Sequence, residues 1–321
     1  PNLQYPDPAA IDLAAIVEAG FEVYGLPLQA NALVAIYRQD LFEAEAAAFE
    51  GAAGRALAFP GTVEEFVEVA AFFTRQDDNL YGTTLMPGTG DWATDDFKTF
   101  LAAWGGNGYM VNDDFSLAFN SQEGIDALTW YAALINEHRV TPPGVTSFSW
   151  DDASAAFTQG LTAMSMNYHT EVLSPEVQGN IAYALVPEQT ARGPHFGTWM
   201  LSVNPYGRNK PWAYRAAQWF TSGATQTAML AAQLHPSRKS VYEAAQSDEN
   251  ATRFGNFYDI LGQSLALGVG RPRLTNYGAV DQVIWVAVNN AANGAQTPEE
   301  ALNEAATEVT ELLRAEGYPV P

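Results

Sequence analysis

Hydrophobic and polar positions recur at helical spacing in some segments of the chain, and short apolar runs lie between those segments. Apolar residues at helical spacing come directly after helix-capping residues, which predicts amphipathic helices beginning at Thr62, Ser121, Ser149 and Thr297. Further helices are predicted over residues 210–223 and 224–234, and short apolar runs predict strands over 161–169, 180–188 and 198–205. Because strands and helices alternate, the sequence predicts an α/β fold.

One apolar run is longer than a strand of ordinary length, which is about five or six residues. The run "YGLPLQANALVAIYRQDLFE" covers residues 24–43 and reads as one extended strand. It carries the polar residue Asn31 along an otherwise apolar path. Asn31 is either a strand-edge residue that faces water or a residue with a function.

Length and charge narrow the class of protein. The chain has 321 residues, which suggests about two domains. Its net charge of −22, from 37 acidic and 15 basic residues, argues against binding to nucleic acid or to anionic lipid. No apolar run approaches the roughly 18 residues that would mark a transmembrane segment. Residue 1 is proline and no basic leader region follows, so we expect a mature or trimmed chain.

Several kinds of chemistry have no motif in the sequence. The absence of cysteine excludes disulfides, thiolate catalysis and cysteine-ligated metals. There is no phosphate-binding glycine loop and no G-x-S-x-G nucleophile motif. The four histidines, His138, His169, His195 and His235, are scattered without metal-binding spacing. We therefore expect no metal and no cofactor.

Two pairs of carboxylates leave an enzyme as an alternative. Asp91 with Asp95, or Asp151 with Asp152, could act as the paired acids of a glycosidase, which lie about 5 to 9 Å apart. The other interpretation places Asp91 and Asp95 in a solvated loop. It places Asp151 and Asp152 in the first turn of a helix, where negative charge is favourable.

Aromatic residues beside polar ones point to a carbohydrate. Trp92 lies next to Asp91 in a glycine-rich segment read as a loop, and Tyr168 and His169 follow a predicted strand. Trp199 follows a glycine at the start of another strand. Flat rings cover the C–H faces of sugars, and carboxylates and amides bind their hydroxyls. The alternative for each is a place in the core, which we predict for Trp130, Trp212, Trp219 and Trp285.

Motifs spread over nearly the whole chain resemble one known family. In order they are "YGLPLQANALVAIYRQDLF", "GTVEEF", "FLAAWGGNGY", "AAFTQGLTAMSMNYH", "GTWMLSVNPYGRNKPWAYRAAQWFTS", "HPSRKSVY" and "NNAANGAQTPEEALNEAATEV". They resemble the extracellular carbohydrate-binding proteins of bacterial ABC importers, the maltose-binding-protein-like group. The resemblance implies a two-lobed α/β fold of the periplasmic-binding-protein type, in which chain segments cross between the lobes.

The resemblance also implies an organisation of the lobes. Residues 1–26 and 203–250 would form lobe one, residues 34–198 and 251–321 would form lobe two, and hinge crossings would lie near 27–33 and 198–203. The long segment at 24–43 would then leave one lobe and enter the other. Only 23 residues precede the first crossing motif. We therefore expect lobe one to be incomplete in this chain, either because the chain is a fragment or because the lobe is reduced. A partner segment, a dimer or a start of the chain that is missing here would then complete it.

The same resemblance implies ligand-binding residues. Asn31 would face sugar hydroxyls from the first crossing, and Trp199 would stack on the sugar from the second. The other matched positions are Asp91, Trp92, Asp95, Tyr168, His169, Arg238 and Asp281. For Arg238 the alternative is a surface or helix-capping arginine. Asp281 stands where the maltose-binding pattern has a stacking tryptophan, which implies a smaller and more polar ligand than a maltodextrin.

The function implied is that of an importer's binding component. The protein would bind a sugar, oligosaccharide or polyol between its lobes and deliver it to the permease subunits, without catalysis. It would be periplasmic or extracellular, or a membrane-anchored lipoprotein if a leader has been removed. Two alternatives stay open: a carbohydrate-active enzyme (a glycoside hydrolase or lyase) that uses paired carboxylates, and a sugar sensor.

Overall fold

The computed structural model describes residues 24–168, 180–245, 247–252 and 254–321, and the chain divides into two compact units. The first unit comprises the described residues before Leu33 together with Phe196–Ala266, and the second comprises Leu33–His195 and Leu267–Pro321. The chain therefore passes from one unit to the other after residues 32, 195 and 266. We call these three places the crossing points.

Strands and helices follow one another through both units. The strands are β1 (Leu26–Ala32), β2 (Val34–Arg38), β3 (Tyr81–Thr83), β4 (Thr162–Asn167), β5 (Ile181–Ala184) and β6 (Phe196–Leu201). The helices are α1 (Gln39–Ala53), α2 (Val63–Phe73), α3 (Asp91–Ala103), α4 (Gln122–Asn136), α5 (Trp150–Thr158), α6 (Lys210–Phe220), α7 (Gly223–Met229), α8 (Lys239–Ala245), α9 (Glu249–Thr252), α10 (Phe257–Leu267), α11 (Tyr277–Ala292) and α12 (Pro298–Ala315). The predicted α/β class is confirmed.

The second unit is built on a four-stranded sheet in the order β3-β4-β2-β5. Strand β2 runs antiparallel to β4 and β5, and β3 runs parallel to β4. Helices α3, α4, α11 and α12 pack on one another through a continuous apolar core that includes Phe97, Tyr131 and Ile284. All six residues of β4 are buried, and helices α5 and α2 pack against this strand, which explains why its sequence is apolar or small at nearly every position.

The first unit contains an antiparallel ribbon of β1 and β6, in which Asn31 lies opposite Gly197. The buried amide of Gln226 ties β1 to the helices by donating to the carbonyl of Leu28 at 2.9 Å. Ser237 completes this attachment by donating from its hydroxyl to the carbonyl of Pro27 at 2.7 Å. Buried polar side chains, rather than further strands, therefore hold β1 in the described part of this unit.

The predicted helix starts are confirmed. Thr62, Ser149 and Thr297 each form a capping box, in which the cap side chain and the acidic residue three positions later bond each other's backbone. Ser121 accepts from the backbone of Gly124. Asp151 and Asp152 lie in the first turn of α5, as the second interpretation of that pair predicted.

The segment 24–43 is not one strand. Strands β1 and β2 are separated at Leu33 and belong to different sheets, and α1 begins at Gln39. The apolar character is continuous because Ala32, Leu33 and Val34 are all buried, although the chain changes units between the first two. Because these three residues are all buried, the sequence reads as one continuous strand although β1 and β2 are interrupted at Leu33.

Two further predictions are wrong. Asp91 and Trp92 belong to helix α3 rather than to a loop, because the polar residues that suggested a loop are in part buried inside the unit. Trp212 and Trp219 lie on α6 and are 68% and 61% exposed, so they do not pack in a core. By contrast, Trp130 packs against Phe100, as predicted.

The observed units differ from the predicted lobes at residues 251–266, which cluster with the first unit instead of the second. The reason lies in α10, where the Tyr258 hydroxyl lies 3.0 Å from the carbonyl oxygen of Leu234. The neighbouring Phe257 packs against the ring of His235, with ring centroids 5.6 Å apart. These contacts hold the start of α10 within the first unit.

Candidate functional site

A buried carboxyl group forms the centre of a polar cluster in the second unit. Asp95 lies on the second turn of α3 and is 1% exposed. Its Oδ2 atom accepts from Arg271 Nη2 and from the hydroxyl of Tyr168, each at 3.2 Å. Arg271 also donates to Asp91 at 2.7 Å. With His195, described next, these residues form what we call the Asp95 cluster.

His195 completes the cluster from the other side. Its Nδ1 atom contacts the hydroxyl of Tyr168, and its Nε2 atom lies 3.2 Å from Asp95 Oδ1. Nε2 and Oδ1 are not aligned for a hydrogen bond, and neither has a hydrogen-bond partner among the residues that the structure describes. Two buried polar atoms at the centre of the cluster are therefore left for a further partner.

Neighbouring residues extend the polar surface beyond the cluster. The hydroxyl of Tyr277 donates to Asp281 at 3.2 Å, and the ring of Tyr277 lies beneath the guanidinium of Arg271, 5.8 Å from its carbon. Lys98, fully buried one turn after Asp95, donates to the carbonyl of Gly270. The region thus contains carboxylates, cations and phenols together. These groups are hydrogen-bond acceptors and donors that can bind hydroxyl groups.

Burial controls the protonation of these groups. Burial raises the pKa of Asp95, although the positive charges of Arg271 and Lys98 oppose the rise. Burial also lowers the pKa of Lys98, against the pull of Asp95. The pKa of His195 is well below its ordinary value, because the ring is buried and faces Lys98 and Arg271. His195 is therefore neutral, with one ring nitrogen able to donate and the other able to accept.

Local backbone geometry brings Asp91 and Asp95 to this place. The loop before α3 runs against the backbone of Ser147 and Phe148, and a Cβ at Gly88 would come within 2.7 Å of both. Glycine is thus required there, and Gly88 donates its N–H to the carbonyl of Phe148 at 3.0 Å. Helix α3 then begins at Asp91, whose charge suits the positive end of the helix dipole.

Other predicted residues of the second unit lie beside the cluster or outside the description. Trp92 packs edge-on against Trp150, with ring centroids 5.4 Å apart, and its Nε1 atom is buried without a described partner. Trp150 also meets the ring of Tyr168 at 6.1 Å. Asp281 is buried on α11. His169 lies outside the described residues.

The predicted residues of the first unit divide into two groups. Asn31 and Trp199 lie on the same face of the β1–β6 ribbon, since Asn31 pairs with Gly197 and Gln29 pairs with Trp199. Trp199 is 65% exposed, and the Asn31 Oδ1 atom is buried with no partner in the described part of the chain. Arg238 is instead buried, and its Nε atom donates to the carbonyl of Thr221 at 2.6 Å.

The sequence analysis missed His195, Arg271, Tyr277 and Lys98. Arg271 lies within the glycine-rich segment "GVGRP". His195 precedes the "FGTW" segment and is separated from Asp95 by a hundred positions along the chain. No local pattern marks either residue, because their role depends on contacts that form only in the folded unit.

Two kinds of feature, a helix that could span a membrane and a metal-binding cluster, are absent from the described residues. In those ranges, no helix is both long enough and apolar enough to cross a membrane. Within the same ranges, no group of three or more histidines and carboxylates is arranged to hold a metal ion.

Comparison with known proteins decides the family. A family model described as bacterial extracellular solute-binding protein matches residues 2–227. The chain belongs to this family. This match confirms the resemblance that the sequence motifs indicated. The solute-binding protein can therefore be compared with relatives whose ligands are named.

Individual relatives of this solute-binding protein carry sugars or polyols. It is 24% identical to a mannitol-binding protein of Pseudomonas aeruginosa over 341 aligned positions, covering 98% of this chain and 75% of that protein. It is 26% identical to the maltose-bound MalE3 of T. maritima, with a TM-score of 0.79, covering 91% of this chain and 73% of that one. A ribitol complex from Agrobacterium radiobacter K84 is 27% identical, with a TM-score of 0.74 and coverages of 90% and 71%.

Proposed function

We propose that this solute-binding protein binds an uncharged sugar or polyol and delivers it to the permease of an ABC importer. The observation that carries the proposal is the Asp95 cluster. Asp95 Oδ1 and His195 Nε2 lie buried there without hydrogen-bond partners among the described residues. Because the Tyr168 hydroxyl donates to Asp95 Oδ2, His195 Nδ1 donates to the Tyr168 oxygen and Nε2 is an acceptor. Two hydroxyls of one sugar or polyol can donate to Oδ1 and to Nε2 and so satisfy both atoms.

The charges around the cluster support an uncharged ligand. Arg271, the half-exposed cation, already bonds two carboxylates, Asp91 and Asp95. A sugar acid or sugar phosphate would have to compete with them for Arg271, and displacing the buried Asp95 would leave its carboxylate without this cation, which is costly. A polyol or neutral sugar can add hydrogen bonds without breaking the ion pairs.

Each unit contains residues that we propose for ligand binding. In the second unit they are Asp91, Trp92, Asp95, Tyr168, His169 and Asp281, with Arg271 added by the structure. In the first unit they are Asn31, Trp199 and Arg238. Of these three, Arg238 has the weakest support, because its Nε atom is engaged by the carbonyl of Thr221.

The family supports the proposed permease partner and location. Members of this family are extracellular solute-binding proteins. We infer that this protein works in the periplasm or at the outer surface of a membrane, where it presents its ligand to permease subunits. No catalytic step is part of the proposal, since family and neighbours alike are binding proteins.

The experiment is a calorimetric titration of the protein with D-mannitol, ribitol, maltose, galacturonate and glucose 6-phosphate. We expect one of the neutral compounds to saturate a single site, and the two anions to give no heat. Saturation by an anion alone would contradict the uncharged ligand. Heat that continues after each injection would mean turnover, and the enzyme alternative would replace the proposal.

A further inference from the structure

His195 is the only residue of the Asp95 cluster that stands directly at a crossing point. It is the last residue of the second unit before the chain passes into β6. Its ring belongs to the cluster, whereas its backbone belongs to the junction. Through its side chain and its backbone, His195 therefore connects the candidate ligand site to the segments that join the units.

The backbone of His195 contacts the other two crossing segments within the second unit. Its carbonyl accepts from the N–H of Leu33, the first residue after the crossing from β1, at 3.0 Å. Val269, three residues after the crossing in α10, pairs with His195 in a parallel bridge and donates to the carbonyl of Pro194 at 2.9 Å. The segments that follow the first and the third crossing points are therefore both bonded to Pro194–His195, the stretch that precedes the second crossing point.

Helix α3 holds the Pro194–His195 stretch through hydrogen bonds. The N–H of His195 donates to the hydroxyl oxygen of Thr99 at 2.9 Å, and the same hydroxyl donates to the carbonyl of Asp95 at 2.8 Å. One turn of α3 thus carries both the carboxylate that faces the His195 ring and the hydroxyl that receives its backbone. A shift of α3 at Asp95 must move His195, and a shift of His195 must move Leu33 and Val269.

We propose that His195 is a positioning residue that couples ligand binding at the Asp95 cluster to the three crossing segments. Its Nδ1 atom contacts the hydroxyl of Tyr168 on one side of the ring, and its Nε2 atom lies 3.2 Å from Asp95 Oδ1 on the other. Ligand hydroxyls that donate to Nε2 and Oδ1 fix the ring, and the ring fixes the Pro194–His195 backbone to which Leu33 and Val269 are bonded. This inference rests on the proposed function for its ligand and on the described contacts for its mechanical part.

The test is hydrogen exchange of the whole protein, measured on peptides that cover residues 30–36, 193–197 and 267–271. His195→Phe removes both ring nitrogens and keeps a planar ring, and Tyr168→Phe removes only the hydroxyl that contacts Nδ1. His235→Phe is the matched control, because His235 is equally buried but lies in the first unit. D-mannitol, ribitol and maltose serve as probes.

Without a probe, we expect His195→Phe and Tyr168→Phe to speed exchange in these three peptides and to leave the apolar core of the second unit unchanged. With a saturating probe, the wild-type protein and His235→Phe slow exchange in all three peptides. The His195→Phe variant binds the probe about tenfold more weakly, which corresponds to ~1.4 kcal/mol, and loses that coordinated slowing.

Three results would overturn the inference. The first is unchanged exchange in both variants without a probe, and the second is full ligand-dependent slowing in His195→Phe. Faster exchange throughout the second unit would show a merely structural role and would also overturn it. If no probe binds the wild-type protein, the proposed ligand class fails, while the comparison without a probe still decides whether the ring holds the crossing segments.

Discussion

Arg271 and Asp95 are 176 positions apart in the sequence, yet a guanidinium nitrogen of one lies 3.2 Å from a carboxylate oxygen of the other. The carboxyl group is buried, whereas the guanidinium reaches the surface and also bonds Asp91. This pairing keeps a negative charge inside the second unit at the place where we propose that the ligand binds. It makes Arg271 the first residue to test by mutation.

Replacing Arg271 by alanine should destabilise the protein by ~1 to 3 kcal/mol, because the carboxylate of Asp95 loses a charged donor. The loss should be larger at pH 8 than at pH 5, since the raised pKa of Asp95 means that its carboxylate charge increases with pH. Urea unfolding at both pH values measures the difference.

The matched control is a double-mutant cycle with Asp95→Asn, which removes the charge that Arg271 compensates. We expect Arg271→Ala to cost less in the Asp95→Asn background than in the wild type. Additive effects of the two substitutions would show that the pair does not interact and would remove Arg271 from this argument.

Asp96 should make the protein less stable as the pH rises. Its carboxyl group is buried and accepts from Met86 N and from the Tyr131 hydroxyl, both at 2.8 Å. Burial raises the pKa of Asp96 to about 7, so between about pH 4 and 7 the folded protein holds a proton that the unfolded chain releases. Relative to Asp96→Asn, the wild type should lose about 1.4 kcal/mol of unfolding free energy per pH unit.

A second variant checks this explanation. Tyr131→Phe removes a hydrogen bond that lowers the pKa of Asp96, so the pH window of lost stability should extend upward. Parallel stability profiles for the wild type and Asp96→Asn between pH 4 and 7 would contradict the prediction.

Trp199 should contribute to ligand affinity and little to stability. Since its side chain is 65% exposed, Trp199→Ala should change the unfolding free energy by no more than about 0.5 kcal/mol. If the ring stacks on a sugar, the same variant should weaken binding by ~1 to 3 kcal/mol in calorimetry. Trp219→Ala is the control, because Trp219 is 61% exposed in the same unit and is not among the proposed ligand residues. Equal affinities for both variants would exclude Trp199 from the site.

Asn31 should likewise contribute to ligand affinity and little to stability. Its buried Oδ1 atom has no hydrogen-bond partner among the described residues, so Asn31→Ala removes no intramolecular bond through that atom. We expect a melting temperature within about 2 °C of the wild type and an affinity lower by about tenfold, measured by thermal unfolding and calorimetry. A large loss of stability with unchanged affinity would give Asn31 a structural role.

The sequence by itself determined the α/β class and the helix starts. It did so because capping boxes at Thr62, Ser149 and Thr297 and the buried run at β4 are local signals, in which a few neighbouring residues decide the backbone. The motifs that marked the family were readable for the same reason. Each motif is contiguous in the chain, and their order could be compared without knowing any contact.

Only the tertiary structure decided what the polar residues do. The sequence placed Asp91 and Asp95 in a solvated loop or a catalytic pair, whereas the fold puts them on α3 facing an arginine from a distant segment. It also brought His195 between Tyr168 and Asp95 and set its backbone among the crossing segments. The physical reason is that burial and long-range contact fix the charge and direction of a polar side chain, and neither leaves a periodic trace along the chain.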